Sequence, residues 1–162
     1  MLTQAELKAR LNYDPETGIF TWIKRIRRKG SHPNSIAGNL CDGYIRIKVN
    51  GKLYRAHRLA FLYMTGSTPL DCTDHINGIK NDNRWCNLRE ATKQENRHNT
   101  GVQKNNTSGF KGVSWHKHAK KWRARARFNK KEIHIGYYND ANLASEAYNS
   151  FAKEHHKEFF RN

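Results

Sequence analysis

Nowhere does this chain approach the roughly 20 consecutive apolar residues of a membrane span, and its opening, MLTQAELKAR, has no apolar signal region. Both absences lead to the expectation of a cytoplasmic protein that does not engage a membrane. Cysteine is scarce. Cys41, Cys72 and Cys86 are odd in number and form no CxxC pair, which argues against a disulfide frame or a thiolate zinc site. They are expected as reduced, half-buried small hydrophobes. His32, His98, His116, His118, His134, His155 and His156 fall at no finger spacing, so no structural zinc is expected, and His155-His156 read as solvated. No repeat of solenoid length is present. Apolar residues make up only 36% of the 162, which limits any core to a small one filled by seven Phe, seven Tyr and four Trp.

Acidic residues are also scarce: 14 Asp plus Glu against 30 Lys plus Arg leave a net charge of +16. Up to Thr100 the count is 17 basic and 9 acidic, and from Gly101 it is 13 and 5, so each part carries +8. The excess is not a detachable basic tail. Two basic folded parts point to a polyanionic partner, of which nucleic acid is the commonest. A charged surface serving solubility alone is the competing interpretation.

Thr3-Gln4-Ala5-Glu6 is a capping box opening a short helix to about Leu11. Asp14 to Gly18 is a turn before a strand at Ile19 to Trp22. The Lys24 to Lys29 arm carries five basic residues, as either a solvated loop or a phosphate contact. Alternation from Gly43 to Val49, the Asn50-Gly51 pair and the return Lys52 to Ala56 predict a hairpin with a type I′ turn. His57 to Met64 is helical in pattern and ends before Gly66. The Asn- and Asp-rich segment from Asp71 to Asn99 reads as loop, until a second capping box, Thr92 to Glu95, opens a helix containing Asn96 and Asn99. Residues 100–107 form a polar linker. Beyond it come strands at Val113 to Trp115, Trp122 to Phe128 and Ile133 to Ile135. In the second strand Trp122, Ala124, Ala126 and Phe128 point inward and Arg123, Arg125 and Arg127 outward. Asp140 caps a helix whose apolar stripe is Leu143, Ala144, Ala147, Tyr148 and Phe151. The fold class is α+β, ending in a small three-stranded antiparallel sheet packed on one helix.

Asp74-His75 carries the chemistry of interest. Asp74 offers a hard anionic oxygen and the Asn96 amide a neutral one, a pair able to hold Mg²⁺, with Mn²⁺ as the alternative, while leaving positions for water and phosphate oxygens. His75 titrates in the range suited to take a proton from water. Adjacent strand residues face opposite ways, so both serving one site predicts kinked or loop-like backbone there. An Asp-His pair alone is more often a structural contact.

YRAHRLAFLYMTG followed by TDHINGIKNDNRWCNLREATKQENRHN resembles the HNH endonuclease family, in its phage and intron-encoded homing branch, from about Gly43 to Asn99. The resemblance implies a ββα-metal nuclease unit with His75 as general base, Asp74 as metal ligand, and Asn87 as the Asn that braces the loop. Asn96 stands where many members carry a last His, an HNN variant. His57 and Arg58 also fit the family pattern, and packing is the role expected of them. Residues 1–99 would then be the nuclease domain, with an extension at 1–42 and a core at 43–99.

The stretch from Ser108 to about Ala152 resembles the ethylene-response-factor domain, called Apetala-two in plants, through GV after a basic residue, the KW strand, IGYY and the A-x-x-A-Y helix, and residues 108–162 would form that domain. That resemblance implies a sheet lying in the DNA major groove. By position, the candidates for DNA contact are Lys111, Ser114, His116, Lys121, Arg125, Arg127, Glu132 and His134, to which outward alternation adds Arg123. Ser114, His116 and Arg125 depart from the plant pattern, so the plant recognition sequence does not transfer.

The resulting expectation is a monomeric, phage- or intron-encoded enzyme in a bacterial host that nicks double-stranded DNA at a chosen site. The alternatives are a non-catalytic, sequence-specific DNA-binding regulator and a binder of RNA or single strands.

Overall fold

The computed structural model describes residues 1–24, 32–103, 105–129, 131–156 and 159. Apart from Lys24, the basic arm lies outside the described residues. The chain divides into two compact units, Met1–Asn96 and Arg97–Asn162.

In the first unit, α1 (Gln4–Lys8) begins at the expected capping box: Glu6 N donates to Thr3 Oγ1 at 3.2 Å and Thr3 N to Glu6 Oε2 at 2.9 Å. The helix ends earlier than predicted, because Leu11 belongs to β1 (Leu11–Asp14), a strand that the sequence pattern does not announce. β1 pairs antiparallel with β2 (Ile19–Trp22) through the expected turn. Alternation buries Leu11, Tyr13, Phe20 and Trp22, and the Tyr13 and Phe20 rings stack at 4.6 Å.

β3 (Asn39–Cys41), β4 (Tyr44–Val49) and β5 (Lys52–Arg55) form an antiparallel meander. Asn50 and Gly51 both adopt positive φ, 49° and 80°, as the predicted I′ turn requires. β5 runs directly into α2 (Ala56–Thr65), closed by Gly66 in the left-handed region with its N–H on Leu62 O. Leu7, Leu11, Phe20, Ile47, Val49 and Leu59 are the largest fully buried side chains of this unit's core.

The Asn-rich segment holds two strands where only loop was expected. β6 (Cys72–His75) pairs antiparallel with β7 (Leu88–Ala91), with a single 3₁₀ turn at Trp85–Asn87 between them. α3 (Lys93–His98) follows its capping box, Thr92 N and Oγ1 both donating to Glu95 Oε2 at 2.8 Å. The division between the units falls within this helix.

In the second unit, β8 (Val113–His116), β9 (Lys121–Phe128) and β10 (Lys131–Tyr138) form an antiparallel sheet of order β10-β9-β8. α4 (Ala141–His156) packs on it, with Asp140 Oδ1 accepting from Asn142 N. Of the predicted stripe, Ala144 and Tyr148 are buried and Phe151 packs half-buried against the same core, and Ala152 extends it by one turn. Leu143 is exposed, and the buried residues are Ala144, Tyr148 and Ala152, at intervals of four, against Val113, Ala124 and Ala126. Small residues let helix and sheet approach closely, and the Tyr148 ring fills the space left between them.

Further expectations are corrected by burial. Cys41 and Cys86 are exposed and only Cys72 is half-buried, all three as free thiols. Arg58 is exposed, so of the His57-Arg58 pair only His57 packs. His155 stacks on Phe151 at 4.1 Å and 7° and bonds the Phe151 carbonyl instead of standing in solvent. No helix among the described residues is long and apolar enough to cross a membrane.

Gly112 has φ +72°, and a Cβ added there would lie 2.2 Å from Tyr148 Cδ2 and 2.8 Å from Arg125 O. Gly112→Ala therefore displaces the central ring of the second core. The expected loss is about 2–4 kcal/mol, from backbone strain and overpacking together, read as a lower midpoint in urea. An unchanged midpoint would contradict this packing.

Candidate active site

β6, β7 and α3 form a ββα unit, and strand register decides which polar groups meet. Asp74 lies opposite Arg89 and His75 opposite Leu88. The Asp74 carboxylate is 3% exposed, and its Oδ2 accepts from Arg89 Nε and Nη2, both at 2.8 Å. A buried carboxylate without a cation would be costly, and the pairing meets that cost locally.

At His75 the chain leaves the strand through a tight turn, Gly78 N donating to His75 O at 2.7 Å. Asn87, 6% exposed, ties this loop together. Its backbone carbonyl accepts from Ile76 N and its Oδ1 from Asn77 N, both at 2.9 Å, while its Nδ2 donates to Asp82 O at 2.8 Å. One amide thus spans both ends of residues 77–82. Asp82 in turn accepts Arg84 Nη2 at 2.6 Å and Asn77 Nδ2 at 2.7 Å. The Arg84 bond holds its carboxyl down at about 2.

His75 is buried, with Nε2 3.3 Å from Asn83 Oδ1. Asn83 Nδ2 donates to Asn81 O at 3.2 Å, which fixes Oδ1 toward the ring. Burial pushes the His75 pKa below its ordinary value and the Asn83 contact opposes this, leaving a neutral imidazole near pH 7. The His57 ring stands edge-on to His75 at 5.0 Å and 84°. Tyr44 lies 5.5 Å from His57 and carries the Arg55 guanidinium at 4.4 Å and the Lys80 ammonium at 5.1 Å. These form a cationic rim near the imidazole.

Both Asp74 and His75 are buried within regular β6, so the kinked backbone expected at that pair is absent. The loop instead begins after His75. Asn96 is exposed on α3, its N–H donating to Thr92 O at 2.9 Å. The sequence does not single out Asn83, Tyr44, Lys80 or the Asp74–Arg89 pair. Recognising β6 and β7 would have revealed Arg89, three residues into the NL-R segment, as the cross-strand neighbour of Asp74.

In the second unit, register puts Ser114 beside Arg123, His116 beside Lys121, His134 beside Arg125 and Glu132 beside Arg127, all on the sheet face away from α4. Tyr137, in the IGYY stretch but not among the predicted contacts, joins them, its ring 5.1 Å from His116 and 4.6 Å from His134. Arg125 Nη1 bonds both Glu132 oxygens, at 3.1 and 2.9 Å. Lys111 Nζ donates to the His98 carbonyl. An open groove of about 800 Å³ is lined by Arg97, Lys111, Ser114, Arg125 and Arg127 among others, with no carboxylate among its described lining residues.

Burial, followed by the charges of His75, Arg55 and Arg58, pushes His57 down to about 3. A histidine depressed in the folded state stays neutral there, while the unfolded one takes a proton below about pH 6.5. Stability is therefore full above pH 6.5 and falls as pH drops toward 3, by up to about 1.4 kcal/mol per unit for this group. His57→Leu should flatten the urea-midpoint profile between pH 6.5 and 4.5. An equally steep profile in the variant would contradict it.

Residues 54–98 match the family model described as HNH endonuclease. Protein 3.8 of Escherichia phage T7 is 46% identical over 50 residues, 31% of this chain and 41% of that protein. The alignment thus spans about two fifths of that relative. A solved structure concerning DNA binding and cleavage by the HNH homing endonuclease I-HmuI aligns with 85% of this chain and 76% of its own, at 22% identity and a TM-score of 0.45. The β5 end, α2 and the whole ββα unit with its Asn-rich loop fall within the sequence matched to the HNH endonuclease family.

Proposed function

We propose that this chain is an endonuclease that hydrolyses phosphodiester bonds of double-stranded DNA with a divalent cation, acting as a monomer that nicks at a chosen site. The observation that carries the reading is a buried Asp74-His75 pair at the end of β6, next to a loop tied by Asn87, inside the HNH-matched segment.

Asp74 and Asn96 are the residues that would hold the ion. Among the described residues no cluster of three or more His, Cys, Asp and Glu could hold a metal, so the donor set combines one carboxylate with one amide. Two hard oxygens of this kind fit Mg²⁺ or Mn²⁺, which keep several waters. When bound, the cation supplies relief of negative charge at the phosphate and the leaving oxygen. Arg89 holds the Asp74 carboxylate in place. His75, neutral near pH 7, takes the proton from water as its oxygen bonds to phosphorus, and one P–O ester bond breaks. Asn87 fixes the loop beyond His75. Lys80 and Arg55, at Tyr44, attract phosphates flanking the reacting one.

The second unit is assigned to holding the duplex, as a sheet of the ethylene-response-factor kind. Supporting this, Lys121, Arg123, Arg125 and Arg127 share the sheet face away from α4 with Ser114, His116 and His134, a set of donors suited to phosphate and base contacts. The similarity to a phage protein supports a phage-encoded enzyme acting in the bacterial cytoplasm.

On a labelled short duplex with Mg²⁺, His75→Ala should slow cleavage roughly 10²–10⁴-fold, and Asp74→Asn should abolish it. Gel-shift affinity should stay within about threefold, since the phosphate-contacting cations remain. Variants that cut like the parent would refute the assigned roles. A parent that binds tightly yet never cuts would favour the non-catalytic regulator.

Arg127→Ala should lower the slope of log affinity against log salt by about 0.9 in magnitude, the amount expected when one phosphate is no longer neutralised. An unchanged slope would remove Arg127 from the interface.

A further inference from the structure

Asn83 is among the most buried polar residues described, 2% exposed, although its neighbours Asn81 and Arg84 in the Asn-rich loop are exposed. Its side chain faces His75 and its backbone is held from the other side by the β1–β2 hairpin. The Tyr13 hydroxyl, itself buried, donates to Asn83 O at 2.7 Å. Trp85 N donates to Pro15 O at 2.9 Å. At the tip of the hairpin Gly18 has φ +72°, and a Cβ there would sit 2.3 Å from Asn83 C and 2.4 Å from Arg84 N. Only a residue without a side chain allows the turn to lie this close to the loop backbone.

We propose that Asn83 is a positioning residue for His75, fixing the imidazole with its proton on Nε2 and its lone pair on Nδ1, and that the β1–β2 hairpin holds Asn83 in place. The chemistry is simple. A neutral imidazole carries one N–H. The Asn83 amide nitrogen is committed to Asn81 O, so the oxygen facing His75 accepts only. The ring nitrogen bonded to it must donate, and the other is left basic. Orienting the base through a fixed hydrogen bond at its second nitrogen also prevents ring flips that would turn the lone pair away. The hairpin lies outside residues 54–98, so in this chain the nuclease segment depends on a strut supplied by its N-terminal extension.

The consequence for turnover rests on the endonuclease reading, whereas the ring state does not. Long-range ¹H–¹⁵N spectra of the full chain at pH 7.5, with the His75 signals assigned by their disappearance in His75→Gln, report the tautomer directly. The proton is expected on Nε2 in the parent and in Asn83→Asp, which keeps an acceptor oxygen, and on Nδ1 or exchanging in Asn83→Leu. On a short duplex with Mg²⁺, Asn83→Leu should lose roughly 10- to 100-fold in kcat with KM within about threefold, and Asn83→Asp should recover most of it. Tyr13→Phe, remote from the ring, should lower kcat about threefold or more by loosening the strut. A parent ring protonated on Nδ1 overturns the proposal, as does an Asn83→Leu variant that keeps both the parental spectrum and the parental kcat. If Asn83→Leu does not fold, the parental ring state decides. A parent that never cuts DNA refutes the endonuclease reading, and the spectrum still judges the role of Asn83.

Discussion

The site depends on one side-chain amide. Asn87 closes the loop between β6 and β7 from within, taking an N–H at one end and giving one at the other. Two such bonds contribute only about 1 kcal/mol each in net terms. Their removal would nevertheless leave a part-buried N–H and a part-buried carbonyl unsatisfied, and that penalty favours the loop in this one arrangement. With the loop fixed, Asp82 stays in reach of Arg84 and Asn77, and Asn83 remains opposite His75. Without it, the six residues 77–82 have little apolar contact to hold them. Ile79, their one apolar side chain, is half exposed.

Charge supplies the second constraint. The chain is strongly basic, yet its site is organised around carboxylates. Asp74 and Asp82 each have a guanidinium partner, Arg89 and Arg84 respectively. The pairing keeps the acids aimed within a positive field that concentrates polyanions around them. The second unit follows the same pattern less tightly. Arg125 is held by Glu132 while Arg127 stands exposed, so the sheet face mixes fixed and adaptable cations.

Much of this was legible in the sequence wherever a local rule had no competitor. Asn50-Gly51 could hardly be anything but a I′ turn, and both Thr-x-x-Glu boxes form as written. The alternation of Trp122 to Phe128 gave the correct faces of β9. Failures came where tertiary contacts overrule composition. β6 and β7 lie in a segment whose Asn and Asp content reads as loop, because the sheet is only two strands of four residues each. β1 is equally short; its inward Leu11 reads as a helix end and its inward Tyr13 belongs to no expected element. Leu143 looked like core and proved exposed, since the close approach of α4 to the sheet selects Ala144 and Ala152. Asn83 had no local signal separating it from Asn77, Asn81 and Asn87. Its importance comes from Tyr13, seventy residues away in sequence. The roles of Asp74, His75, Asn87 and Asn96 came from a family resemblance, because an Asp-His pair with two distant Asn residues is too common a pattern to identify a nuclease by spacing.

The central claim is hydrolysis of duplex DNA that requires a divalent ion at the ββα unit. Its most direct test is incubation of the full chain with supercoiled plasmid at near-neutral pH, with Mg²⁺ in one arm and EDTA in the other, resolved on an agarose gel. The account predicts conversion to the open-circular form with Mg²⁺ and intact supercoils with EDTA. Plasmid bound but left supercoiled in both arms, or cut equally in both, would contradict it.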